Sequence, residues 1–174
     1  QNGPVRFYER KLGSFAKIIR HGSSPANYFW EVTTADGVRH YYGGESQIEE
    51  DYSIHALQPP GFTTKIGVGY WALKKSIDKH GNSIDYYYSK LGNNLYIERI
   101  TYAEHGLNNY TILFNRKAEP REDVVLNGRL GMLQQDDQLL EEIKVQYREN
   151  GAEFSVRTYK FDYQVGRFNK TLLT

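Results

Sequence analysis

Residues Tyr28 to Tyr42 read Y-F-W-E-V-T-T-A-D-G-V-R-H-Y-Y, two runs of aromatic and β-branched residues around Asp36-Gly37. Such side chains suit a pleated, half-buried surface, and a glycine between the runs supplies the positive φ of a tight turn. The stretch is therefore predicted to be an antiparallel hairpin. Trp71 to Tyr88, W-A-L-K-K-S-I-D-K-H-G-N-S-I-D-Y-Y-Y, repeats the plan with Asp78 to Asn82 as its turn. A third pair joins Leu95–Tyr102 to Tyr110–Phe114. The fourth has Ile143, Val145 and Tyr147 on one face, a turn at Glu149-Asn150-Gly151, and a return from Phe154 to Tyr163.

In that return the apolar positions change parity. Phe154 and Val156 are even, whereas Tyr159, Phe161 and Tyr163 are odd. Because side chains alternate faces with a period of two, a β-bulge near Arg157-Thr158 is expected to restore one buried face. Gln134 to Lys144 carries a rival helical spacing at Leu139, Leu140 and Ile143, and reads as a single helical turn. Gly43 to Gly69 and Lys117 to Gly131 read as long connections, where an interface is to be sought first. The fold expected is all-β, largely antiparallel hairpins forming a sandwich or strongly curved sheet with little helix. One β-rich domain spans residues 1–174.

Composition agrees. The 174 residues include 15 Tyr, 8 Phe and 2 Trp, mostly set among Val, Ile and Thr. With 22 Lys and Arg against 21 Asp and Glu, no global field gathers nucleic acid or an anionic membrane. The chain has no cysteine, which removes disulfides, thiolate metal sites and cysteine nucleophiles together. No apolar run approaches the length of a membrane span, so direct membrane insertion is not expected.

The search for chemistry yields little. Of His21, His40, His55, His80 and His105, no two have the i, i+4 spacing of a helical metal motif, and three adjoin glycine as turn residues do. Glu49-Glu50-Asp51 lacks the D-x-D-x-D-G pattern of a calcium loop. Gln47-Ile48-Glu49 matches the Q-x-E tripeptide of some ADP-ribosyltransferases, without the Ser-Thr-Ser strand or upstream arginine that would give it meaning. No catalytic residue, cofactor or metal site is assigned, and the chain is expected not to be an enzyme. Tyr41-Tyr42 and Tyr86-Tyr87-Tyr88 must place neighbouring rings on opposite faces if they lie in strands. These five are the candidates for exposed aromatic contacts.

Three stretches together carry a resemblance: Trp30 to Gly43, Trp71 to Tyr88 with Leu95 to Tyr102, and Phe114 onward through L-L-E-E-I-K-V-Q-Y to V-R-T-Y-K-F-D-Y at Tyr163. Their order and spacing, over roughly residues 14 to 174, resemble the Salmonella virulence-plasmid B proteins and the B components of insecticidal toxin complexes, related to YD-repeat (Rhs) shell proteins. The resemblance implies a segment of a much longer, secreted or surface-displayed bacterial protein. In it, a non-catalytic β scaffold walls off a cargo polypeptide or docks a partner toxin subunit. Its partners would be other segments of the parent and that cargo. Two rivals stand beside it. A glycan- or peptide-binding β module would show a coplanar row of exposed rings, and an enzyme would show a cleft with converging carboxylates or histidines. Finally, Tyr159 to Tyr163 reads as a strand and Gly166 to Thr174 as the start of another. An unpaired edge or apolar patch is expected beside Leu172-Leu173, through which copies can self-associate.

Overall fold

The computed structural model describes residues 3–8, 13, 15–25, 27–44, 53–56, 67–129 and 133–174, with the side chains of 53–56, 67 and 68 left aside. The strands are β1 (Val5–Phe7), β2 (Lys17–His21), β3 (Phe29–Thr33), β4 (Arg39–Tyr42), β5 (Ser53–Ala56), β6 (Gly67–Trp71), β7 (Leu73–Ile77), β8 (Ser83–Leu91), β9 (Asn94–His105), β10 (Asn108–Arg116), β11 (Val125–Asn127), β12 (Gln134–Asp136), β13 (Leu140–Glu149), β14 (Ala152–Lys160), β15 (Tyr163–Val165) and β16 (Thr171–Leu173). The described chain is all-β, and its pairings are antiparallel. A short 3-10 turn at Arg167–Asn169 separates β15 from β16.

The chain divides into two compact units, the first made of 1–86 with 129–132 and the second of 87–128 with 133–174. In the first unit the order is β1-β2-β3-β4-β7, with the opening residues of β8 beside β7. The two turns predicted there are present. Thr34 and Val38 close the β3–β4 hairpin around Gly37, at φ +89°, and Asp78 and Asn82 close β7–β8 around Gly81, also at +89°. Each turn is pinned by its own aspartate. Asp36 accepts from the Thr34 hydroxyl, and Asp78 accepts from the backbone N–H groups of His80 and Asn82 at 2.8 and 2.9 Å. These bonds favour the charged form, so both carboxyls titrate below their usual range, chiefly through Thr34 and the Asn82 side chain respectively.

The second unit runs from the end of β8 through β9, β10 and β13 to β14. Its third and fourth predicted pairs are both present, β9 with β10 and β13 with β14. The predicted bulge is present too, one residue earlier than the sequence placed it. Val145 faces Arg157 and Gln146 faces Ser155, which leaves Val156 as the extra residue.

Two expectations are corrected. Gln134 to Lys144 contains no helical turn: it supplies β12 and then enters β13, because Ile143 and Val145 pair with Phe114 and Ile112 across a strand ladder. Tertiary pairing overrides a short helical spacing. At the C-terminus, Phe161 and Asp162 interrupt the run before Tyr163, and β16 folds back onto β15 instead of standing unpaired. The Leu172-Leu173 patch persists, at 47% and 62% exposure. Of the long connections, residues 45–52 and 57–66 lie outside the described residues, and with them Gln47-Ile48-Glu49, Glu49-Glu50-Asp51 and Pro59-Pro60-Gly61. Lys117 to Gly131 supplies β11, which pairs with β12.

Candidate interaction surface

The first unit is centred on two tryptophans. Trp30 and Trp71 meet edge to face with centroids 5.7 Å apart at 84°, and Phe7 packs on Trp30 at 5.3 Å. Such pairs add about 0.5–1.5 kcal/mol beyond the area they bury. The Trp71 indole N–H donates to the Tyr28 carbonyl at 2.6 Å. Gly43, at φ +85°, donates its N–H to the Ala72 carbonyl at 2.7 Å, and Ala72 is 2% exposed. On the same strands, His40 Nδ1 lies 2.9 Å from the hydroxyl of buried Ser76, its cross-strand partner.

The five tyrosines that are candidates for exposed contacts lie on β4 and β8. Tyr41, Tyr42, Tyr86, Tyr87 and Tyr88 are each half-buried. Tyr41 and Tyr42 do fall on opposite faces, facing Glu31 and Trp30. Their neighbours occupy them: the Arg39 guanidinium reaches the Tyr41 hydroxyl at 3.5 Å, His40 packs against Tyr42, and the Arg99 guanidinium covers Tyr87 at 4.0 Å. Arginine-covered rings satisfy a cation-π contact and have less free face to offer a sugar.

The continuous surface lies in the second unit, and sequence reading missed it. Register places Tyr102 opposite Tyr110, Tyr110 opposite Tyr147, and Tyr147 opposite Phe154, one aromatic row crossing β9, β10, β13 and β14. Tyr102 and Tyr110 stack at 5.4 Å and 13°, and Tyr110 and Tyr147 meet at 4.8 Å and 37°. The next row on this face is Ile100, Ile112, Val145 and Arg157, and the next Phe114, Ile143 and Tyr159. The opposite face carries Thr101, Thr111, Gln146 and Ser155, then Arg99, Leu113, Lys144 and Thr158. One face is apolar and the other is mainly polar, as a sheet with one side covered requires. Yet none of the apolar side chains is fully buried, and Tyr110 and Phe154 are 36% and 52% exposed.

The ring geometry limits what this row can bind. Rings stacked on one another across strands use their faces on their neighbours and turn their edges outward. Sugar stacking needs the faces. The row therefore suits burial against another apolar layer.

The remaining polar features of this unit hold pieces of chain in place. Asp123, its side chain 6% exposed, accepts from Arg121 Nε at 2.9 Å and Nη2 at 3.0 Å, and from the backbone N–H of Thr171 at 3.0 Å and its hydroxyl. Arg121, then Thr171, hold the Asp123 carboxyl well below the usual carboxylate range. This anchors β16 to the segment ahead of β11. Side-chain amides of Asn93 and Asn94 donate to the carbonyls of Leu133 and Gln135, tying β12 to the β8–β9 turn. Arg116 lies over Tyr96 at 4.8 Å and donates to the Ile97 carbonyl, and burial lowers the guanidinium and raises the phenol.

A cleft of about 420 Å³ is lined by Lys117, Glu141, Glu142, Lys160, Phe161 and Asp162. Asn115 donates to Glu142 at 3.1 Å on its rim. Among the described residues no group of three or more His, Asp or Glu is placed to hold a metal ion, and no helix is long and apolar enough to cross a membrane.

Residues 4–116 match the family of the Salmonella virulence plasmid 65kDa B protein, SpvB, which is more than half of the chain. The chain belongs to this family. The fold is similar to that of the N-terminal domain of effector protein SpvB from Salmonella typhimurium strain LT2. The TM-score is 0.76, covering 98% of this chain and 67% of that one at 15% identity. At that identity the likeness speaks for the fold. A comparison with curated protein sequences finds no match. The SpvB family match ends at Arg116, ahead of β13 and β14, whereas the structural likeness covers 98% of the chain.

Proposed function

We propose that this member of the virulence plasmid B family is a non-catalytic structural segment of a large, secreted, toxin-complex-like protein. It contributes a wall or docking surface to a β shell. The observation that carries the reading is the apolar face of β9, β10, β13 and β14, whose rows of Tyr, Ile, Val and Phe stay half-exposed. A face of that composition and extent is stable in water only when a further layer covers it, and surfaces of this kind mark protein interfaces. The layer would come from other segments of the parent or from a cargo or partner toxin subunit. Such a role asks for packing and backbone ladders and for no titrating residue.

The full-length protein is the material for the test. Ile112→Ser and Val145→Ser, with retained β structure checked by circular dichroism, are expected to weaken assembly and open the protein to protease. Glu142→Gln and Asp162→Asn in the cleft are expected to leave it closed and functional. Loss of function confined to the cleft variants would instead make the segment a catalytic or ligand-binding one.

A further inference from the structure

The strand at the end of the second unit's ladder pairs on one side. β14 bonds to β13, and among the described residues no strand pairs with its other side. All nine of its residues are exposed, including Phe154 at 52%, Val156 at 60% and Tyr159 at 47%. A long edge with apolar side chains is a template for another strand unless something blunts it. Proline is absent from Ala152–Lys160; the protection this edge carries is the Val156 bulge and the charges of Glu153, Arg157 and Lys160, two of which a suitable partner strand can neutralise.

The sequence of this edge is complementary to itself when reversed. Read antiparallel with Val156 bulged out of the ladder, Glu153 meets Lys160, Phe154 meets Tyr159, Ser155 meets Thr158, and Arg157 at the centre meets its own copy. Three of the four are favourable cross-strand partners, an opposite-charge pair, an aromatic pair and a hydroxyl pair, and they outnumber the like-charged Arg157 pair on the axis. A regular strand could not use this register in a two-fold dimer. Phe154 and Tyr159 are separated by an odd number of positions and would project to opposite faces. The bulge at Val156 removes that obstacle. Phe154 opposes Tyr147 and Tyr159 opposes Ile143, so both stand on the apolar face, while Glu153 and Lys160 oppose Arg148 and Glu142 on the other. Every outer pair of the reversed register is thus matched in face as well as in chemistry.

We propose that β14 pairs antiparallel with β14 of a second copy of this chain, in the register that sets Glu153 opposite Lys160 and Phe154 opposite Tyr159. The two apolar faces then continue across the junction, with Phe154 and Tyr159 of each copy side by side. This pairing is independent of the scaffold reading and needs no covering layer.

Sedimentation equilibrium across a concentration series tests it. The chain is expected to show a monomer–dimer equilibrium. Glu153→Lys is expected to weaken the dimer about tenfold, because two repulsive pairs replace two attractive ones. Glu153→Lys with Lys160→Glu is expected to restore it. Since the chain has no native cysteine, Ser155→Cys with Thr158→Cys gives a second readout: oxidation should yield a covalent dimer, and Ser155→Cys alone should not. These positions are solvent-exposed, and the Arg148–Glu153 ion pair that Glu153→Lys removes lies at the surface, so the fold tolerates the changes. A wild-type chain that stays monomeric throughout the series, a charge-swapped double variant no tighter than the single one, or Ser155→Cys crosslinking as well as the pair, would overturn the proposal.

Discussion

The Trp71 indole fills the space into which a side chain at Gly43 would project: a Cβ there would stand 2.5 Å from Trp71 Cδ1. Gly43 also holds φ +85° while donating to Ala72, so glycine is required twice over, by conformation and by space. Gly43→Ala must strain the backbone and displace the indole that bonds to Tyr28. The expected loss is about 2 kcal/mol or more, read from the urea midpoint of unfolding.

The Tyr102–Tyr110–Tyr147 row predicts a second cost. Tyr110 contacts a ring on either side, and each contact is worth about 0.5–1.5 kcal/mol. Tyr110→Ala is expected to lower stability by about 2 kcal/mol despite its partial exposure. Tyr8→Ala, at a ring 75% exposed, is expected to change it by about 0.5 kcal/mol or less. Equal effects in urea titrations would deny the row its structural weight.

How far these features can be read from sequence depends on where the ladder is regular. Tyr147 and Phe154 stand equally far from the Asn150-Gly151 turn, so their pairing follows from a two-residue loop alone. Tyr102 and Tyr110 do not stand equally far from the Gly106-Leu107 turn. The extra residue lies near Ala103, which takes φ +53°, and nothing in its side chain announces that. Tyr110 meets Tyr147 across strands that the long Lys117–Leu139 connection separates, and no local spacing encodes such a contact. The Val156 bulge was legible because an apolar face had to be preserved. The covering of Tyr87 was not, since it depends on Arg99, brought over the ring by a neighbouring strand.

Acid should loosen the C-terminal hairpin. Asp123 is held below its usual range in the folded chain, so its anchoring is fully present above an unfolded value of about 4 and declines as pH falls below that toward the folded value. Asp36 and Asp78 shift in the same direction, so the β3–β4 and β7–β8 turns of the first unit weaken as pH falls through the same range. Amide exchange at Thr171 to Leu173 should quicken between about pH 4 and pH 2 relative to β9 and β10, after correction for intrinsic rates. In Asp123→Asn these amides should exchange faster at neutral pH, with a flatter pH dependence; an unchanged profile would remove Asp123 as the anchor.

Deleting the bulge residue should be tolerated where deleting its neighbours is not. Without Val156, Ser155 and Arg157 become adjacent and still face Gln146 and Val145, so every pair of β13 and β14 survives. Deleting Thr158 instead moves Tyr159 off the apolar face unless the register shifts. Thermal unfolding is expected to shift by a few degrees for the first and by a clearly larger amount for the second.

The proposed scaffold role requires the apolar face of β9, β10, β13 and β14 to be a covered surface in the protein's working state. Hydroxyl-radical footprinting of Tyr110, Ile112, Val145 and Tyr147 measures that directly, in the chain alone and within the longer parent protein that the proposed function calls for. The account predicts ready labelling in the chain alone and strong protection in the full-length protein, with Tyr8 as the exposed reference. Equal labelling of these residues in both would show a face that nothing covers, and would contradict it.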